Sequence, residues 1–277
     1  SFGQGGIATV VFKSNTNEYA NSLLLQPDGG IIVGGTASIN GSPEGVVARL
    51  DSNGVLDTTP FYVDFNIGPN YLSDIALTND GKLLVVGTYV NSNNNHDVFV
   101  GRLDESGKHF DSGFAGSGWL SINATSFEQG KAVAIQPDGR IVVVGTTIDA
   151  GIQKFLTLRL NSNGTVDNTF RPSSGGVATG NKGARWTAAC MSGDANVSSL
   201  VIQPNGRIVV GGEASNGRDR DFALVRYNPD GTLDSSFGSN GVTLTGFGEG
   251  DDTINDMTLQ SDGKLVAVGD VTYQGHT

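Results

Sequence analysis

The chain has 277 residues, 37% of them hydrophobic and 16% charged, with a formal net charge of −11. An acidic surface of this size repels phosphate backbones and anionic lipids, which excludes nucleic acid as a partner. No apolar run is long enough to span a bilayer as a helix, so membrane insertion is not expected.

One cysteine, Cys190, supplies neither an internal disulfide nor a Cys-rich zinc site, and a small buried hydrophobe is the simplest reading of it. The 41 glycines show no collagen period. They predict many tight turns and therefore many short strands.

In chain order, Ser1-Phe2-Gly3-Gln4-Gly5-Gly6-Ile7 matches Ser236-Phe237-Gly238-Ser239-Asn240-Gly241-Val242. The chain therefore opens with a strand over 7–12 that would be the fourth strand of a repeat. Next comes a unit that recurs five times. An apolar strand such as Ser22–Leu25 enters the turn Gln26-Pro27-Asp28-Gly29, and a second apolar strand, Ile31–Val33, ends in Gly34. The same turn stands at Thr78–Gly81, Gln136–Gly139, Gln203–Gly206 and Gln260–Gly263, with steps of 52, 58, 67 and 57 residues. Proline presets φ at the second position and glycine takes the left-handed fourth, which is a type I turn with a bulge. The paired strands are apolar without alternation, so both of their faces must be covered.

A third strand ends in Arg plus a large apolar residue, at Arg49, Arg102, Arg159 and Arg226. A second Gly turn follows, and an Asp-x-x-Phe segment such as Asp234–Phe237 leads into a fourth strand. Four strands per repeat, stacked face to face, predict an all-β protein: a β-propeller of five four-stranded blades. The repeats run approximately 1–59, 60–112, 113–169, 170–236 and 237–277, and form one domain over 1–277. Closure by the N-terminal strand, pairing in the last blade, is the expected arrangement.

The pattern resembles the delta-60 repeat, found in tandem in bacterial surface and secreted proteins. The resemblance is carried by Phe237-Gly238, Gln203-Pro204-Asn205-Gly206, Ile208-Val209-Val210-Gly211 and Asp221-Phe222-Ala223-Leu224 through Arg226-Tyr227. It implies a propeller-like fold and a secreted or cell-surface location. It implies no activity and supplies no catalytic residues.

Connectivity separates two ends of each repeat. The first-to-second and third-to-fourth turns are short and alike. The other connections read as long and different, which is how a repeat scaffold presents a binding face. Arg185 and Trp186 lie in the richest of these loops and suit contact with a sugar ring or a peptide; Trp186 suits equally a plug under its own loop. Glu249, Asp251 and Asp252 follow Gly246, Gly248 and Gly250. They offer oxygen ligands of the kind calcium takes, without EF-hand spacing, and a solvated acidic loop explains them as well.

Asp74 and Asp256 occupy the same repeat position, where the other repeats carry Ser22, Ala132 and Ser199. A carboxylate pair there is what a propeller-fold glycoside hydrolase uses, and a hydrogen-bonding role in the scaffold is the alternative. The repeated arginines read as structural, each pairing with a turn Asp or a carbonyl. The residues thus favour a binding module for a glycan or a protein, with a polysaccharide hydrolase and a ligand-free structural repeat as the rivals. No metal site and no cofactor is called for by any motif, calcium at the Asp251–Asp252 loop apart.

Overall fold

Each repeat is set by its turns. Gly29, Gly81, Gly139, Gly206 and Gly263 all have φ between 79° and 85°. Each donates its N–H to the carbonyl three residues earlier, as in Gly29 to Gln26 at 3.0 Å. Left-handed φ without a Cβ penalty is what glycine supplies there. The computed structural model describes residues 2–12, 16–57, 60–63, 68–123, 125, 127–170 and 193–272.

Seventeen strands result, with no helix among the described residues. They are β1 (Glu18–Leu25), β2 (Ile31–Ile39), β3 (Ser42–Leu50), β4 (Phe61–Val63), β5 (Asn70–Leu77), β6 (Leu83–Val90), β7 (His96–Leu103), β8 (Trp119–Ile122) and β9 (Glu128–Ile135). Then follow β10 (Ile141–Asp149), β11 (Ile152–Leu160), β12 (Ala195–Ile202), β13 (Ile208–Ser215), β14 (Arg220–Tyr227), β15 (Val242–Thr245), β16 (Asp252–Leu259) and β17 (Leu265–Val271). They pair in chain order into antiparallel meanders: β1–β4, β5–β8, β9–β11, β12–β15 and β16–β17. The chain divides into two compact units, 1–121 and 122–277. The first unit holds the first two sheets and the second unit holds the other three.

Every sheet contains the same irregularity. The fourth residue of its first strand is skipped in the register: Asn21, Ser73, Lys131, Ser198 and Asn255. This is a β-bulge, which bends the strand and re-aims the side chains beside it. Opposite each bulge stands Gly35, Gly87, Gly145, Gly212 or Gly269. A Cβ on any of these glycines would overlap the carbonyl oxygen of the first strand's second residue, such as Asn196 for Gly212. The bend and the missing side chain are therefore one device.

Packing follows from apolar faces on both sides of the middle strands. Ile32, Leu72, Ile75, Val85 and Phe99 share the core of the first unit. Val142, Val144, Phe155, Val210 and Tyr227 share a core of the second, and Val209, Ile254 and Met257 share another. At the short-turn end the repeated arginines are structural. Arg102, Arg159 and Arg226 each donate Nε to Asp111, Asp167 or Asp234 at 2.7 to 2.8 Å. Each also stacks on the ring of Phe114, Phe170 or Phe237 within 4.9 Å. Arg49 instead donates to the Glu105 carbonyl at 3.2 Å, and Arg159 reaches the equivalent Pro229 carbonyl. These bonds join one sheet to the next.

Two expectations differ. Residues 7–12 form no strand, and β16–β17 is a two-stranded sheet. The N-terminal segment is instead held by the first sheet: Gly3 N donates to Asn53 O, Phe12 N donates to Glu18 at 3.0 Å, and Tyr62 Oη donates to Phe12 O at 3.0 Å. The second-to-third connections are also shorter than expected. Asn40-Gly41 and Ala150-Gly151 are two-residue turns with both φ values positive. Polar residues such as Thr36 and Ser38 continue β2 beyond its apolar run, so the strands reach farther than hydrophobicity indicates.

Gly212→Ala should destabilise the protein by about 3 kcal/mol, because its Cβ meets backbone rather than a movable side chain. A urea titration checks this, and an unchanged midpoint would remove the steric account of the bulge. The Asp111 carboxyl is pulled from the ordinary 3.8 to about 2, chiefly by its hydrogen bond from Lys82 and against a partial offset from burial. A carboxyl depressed on folding stabilises fully above its unfolded pKa and stops contributing as pH falls through its folded one. Between about pH 4 and about pH 2 the wild type should therefore lose more stability than Asp111→Asn, measured by urea midpoints across that window.

Candidate functional site

The end of the sheets opposite the Pro-Asp-Gly turns carries the variable connections. In the second unit, two of them meet: residues 216–219, between β13 and β14, and 246–251, between β15 and β16. Backbone donors and short acidic side chains tie them together. Asn216 Oδ1 accepts from Arg218 N at 2.8 Å and Asp219 N at 3.2 Å, which closes the first loop on itself. Asp219 Oδ2 accepts from Gly250 N at 3.1 Å, and Asp251 Oδ1 accepts from Arg220 N at 2.9 Å. Each loop thus caps the other.

Beneath them, Asp252 is fully buried and its Oδ2 accepts from Phe247 N at 2.7 Å. Glu213 is buried too, receiving Arg220 Nη1 at 3.0 Å and the Thr253 hydroxyl. Gly246 permits a close approach, since a Cβ there would lie 2.6 Å from Asp221 Oδ1. Anchored by Asp252, Phe247 stands 55% exposed, edge-on to Phe222 at 5.0 Å between centroids. Glu249 and Asp251 are exposed, with Arg218 3.9 Å from Glu249. The outcome is an exposed aromatic ring on a hydrogen-bonded loop pair that also exposes Glu249, Asp251 and Arg218.

The three carboxylates proposed from sequence for calcium thus have three separate jobs. Asp252 points inward, Asp251 caps Arg220 and Glu249 faces Arg218. Among the described residues no group of three Asp, Glu, His or Cys could hold a metal ion. Arg185 and Trp186 lie outside the described residues. Phe247 went unselected in the sequence; the signal for it was a large apolar residue between Gly246 and Gly248, where no strand needs one.

Asp74 belongs to the first unit and Asp256 to the second. Asp74 Oδ1 accepts from Ser22 Oγ at 2.6 Å and from Ile75 N at 2.8 Å. Asp256 Oδ1 accepts from Ser199 Oγ at 2.9 Å and from Met257 N at 2.7 Å. Each carboxylate therefore ties its first strand to the serine one sheet earlier. In the third sheet the bulge residue is Lys131, whose amine burial pushes below the usual lysine range. It is the one cation on any of the five first strands.

The family described as the Domain of unknown function (DUF5122) beta-propeller matches the chain over residues 26–59, 78–109, 136–170 and 203–237. Each match starts at a first turn and runs through the second, so the matching unit is the repeat read above. No curated protein matches the chain. Among solved structures, a Hadza microbial sialidase is similar with a TM-score of 0.53 at 13% identity, over 86% of this chain and 47% of that one. The chain thus spans about half the length of that sialidase. A protein of unknown function from Dyadobacter fermentans is similar with a TM-score of 0.50 at 14% identity, over 81% and 63% of the two chains. At such identities the likeness shows the fold alone. The chain is an all-β protein of antiparallel propeller-type sheets.

Proposed function

We propose that the protein is a carbohydrate-binding propeller, each of its five sheets one blade, which takes a sugar ring on Phe247. The observation that carries this reading is a solvent-facing phenyl ring fixed by its own loop's hydrogen bonds. An aromatic face covers the C–H side of a sugar, and flanking carboxylates and guanidinium hydrogen-bond its hydroxyls. Because the Asp219–Gly250 and Asp251–Arg220 bonds already order the loops, little conformational entropy is lost on binding. The resemblance to delta-60 repeats adds a location on the cell surface or outside the cell, where extended glycans are available.

A glycan array probed with purified protein, with and without calcium, is the direct test. Phe247→Ala should weaken binding to any retained glycan about tenfold or more, with the melting temperature unchanged to within about 2 °C. Retained affinity in that variant, or no glycan bound by the wild type, would rule the reading out.

A further inference from the structure

Neighbouring sheets share a polar contact toward the variable end. It joins the residue after the cleared glycine of a second strand to the second residue of the next sheet's first strand. From the third sheet to the fourth, Thr146 Oγ1 donates to Asn196 Oδ1 at 2.7 Å and accepts from Val197 N at 3.2 Å. From the fourth to the fifth, the Thr253 hydroxyl donates to Glu213. From the first to the second, the two places hold Thr36 and Tyr71. Tyrosine has no polar side-chain atom short of the far end of its ring, so Tyr71 cannot act as Asn196 does. Thr36 Oγ1 accordingly has no hydrogen-bond partner among the described residues, although Thr36 is only 7% exposed. A buried hydroxyl in that state costs free energy, and such groups ordinarily have a partner.

Thr36 lines a cleft of about 360 Å³ between the first two sheets, both of which lie in the first unit. Tyr19 and Tyr71, at the same position on successive first strands, border it. Asn21, Ser38 and Ser73 add amide and hydroxyl groups, and no charged side chain lines it among the described residues. Asn21 Nδ2 donates to Leu72 O at 2.7 Å, which leaves its Oδ1 to accept from a guest. We propose that this cleft binds one uncharged sugar ring, a hydroxyl of which bonds Thr36 Oγ1. Its volume falls within the range of small-molecule clefts, which starts at about 300 Å³. The C–H face of a sugar suits tyrosine rings, and its hydroxyls suit the amide and hydroxyl groups between them. An acidic sugar or a phosphate would find no compensating charge there. The site is separate from Phe247, which belongs to the second unit, and does not depend on it.

Saturation-transfer NMR on the purified chain tests this, with glucose, galactose, mannose and xylose, each free and as its methyl glycoside, titrated to about 20 mM. At least one should bind. Affinity for the free sugar marks a free ligand, and affinity for the glycoside alone marks the end of a glycan. Thr36→Val keeps the shape of the side chain and removes its hydroxyl. It should weaken binding about tenfold, and the sugar-free variant should melt no lower than the wild type, since no internal bond is lost. Tyr71→Asn recreates the Thr146–Asn196 arrangement; verified as folded by circular dichroism, it should bind no sugar. A wild type that binds none of the sugars overturns the proposal, as does a lower melting temperature in Thr36→Val or full affinity in both variants. So does binding that is lost in Phe247→Ala and kept in Thr36→Val, which would place the sugar at Phe247 instead.

Discussion

Between the first two strands of each sheet, a backbone carbonyl occupies the space where a side chain would otherwise stand. Tyr19, Tyr71, Gln129, Asn196 and Thr253 supply that carbonyl, and Gly35, Gly87, Gly145, Gly212 and Gly269 make room for it. The bulge that brings it there skips one residue and changes which face the following side chains meet. The fifth residues then reach the neighbouring sheet, as Ser22 reaches Asp74 and Ser199 reaches Asp256. The sixth residues, Ile75 and Met257, drop onto Gly34 and Gly211. Sheet curvature, polar ties and apolar interlock between sheets all derive from this one close approach.

The two ends of the sheets are specialised in opposite ways. At the Pro-Asp-Gly end, each of Asp111, Asp167 and Asp234 receives two cations, Lys82 with Arg102, Arg140 with Arg159, and Arg207 with Arg226. Such repetition belongs to a scaffold. At the other end, acidic side chains accept backbone N–H groups instead: Glu18 from Phe12, Glu128 from Thr125 and Asp252 from Phe247, and Asp194 from Gln153 as Asp251 from Arg220. Carboxylates spent on loop amides stiffen a surface without metal, and that stiffness is what places Phe247 in solvent.

The rarity of exposed aromatic rings on fixed loops separates the Phe247 site from the rest of the surface. Tyr19, Tyr62 and Tyr71 are also exposed, but they lie on strands rather than in loops. Phe247 sits in a glycine-rich loop, where packing requires no ring. The loop spends three hydrogen bonds, from Phe247, Gly250 and Arg220, on holding it and its neighbours in place.

The all-β class, the repeat, the turns with their left-handed glycines, and the structural use of Arg102, Arg159 and Arg226 were all legible in the order of residues. Those features are local or recur at fixed spacing, so composition and periodicity record them. Strand lengths were legible only in part, because the bulge shifts the apolar phase and hides residues 18–21 and their equivalents from a hydrophobicity reading. Where each variable residue is spent depends on the folded arrangement. Asp251 and Asp252 are adjacent, yet one caps a neighbouring loop and the other is buried, while Asp74 and Asp256 bond to serines more than fifty residues earlier in the chain. A carboxylate's role depends on which donors the fold brings within about 3 Å of it, and no local pattern encodes that distance.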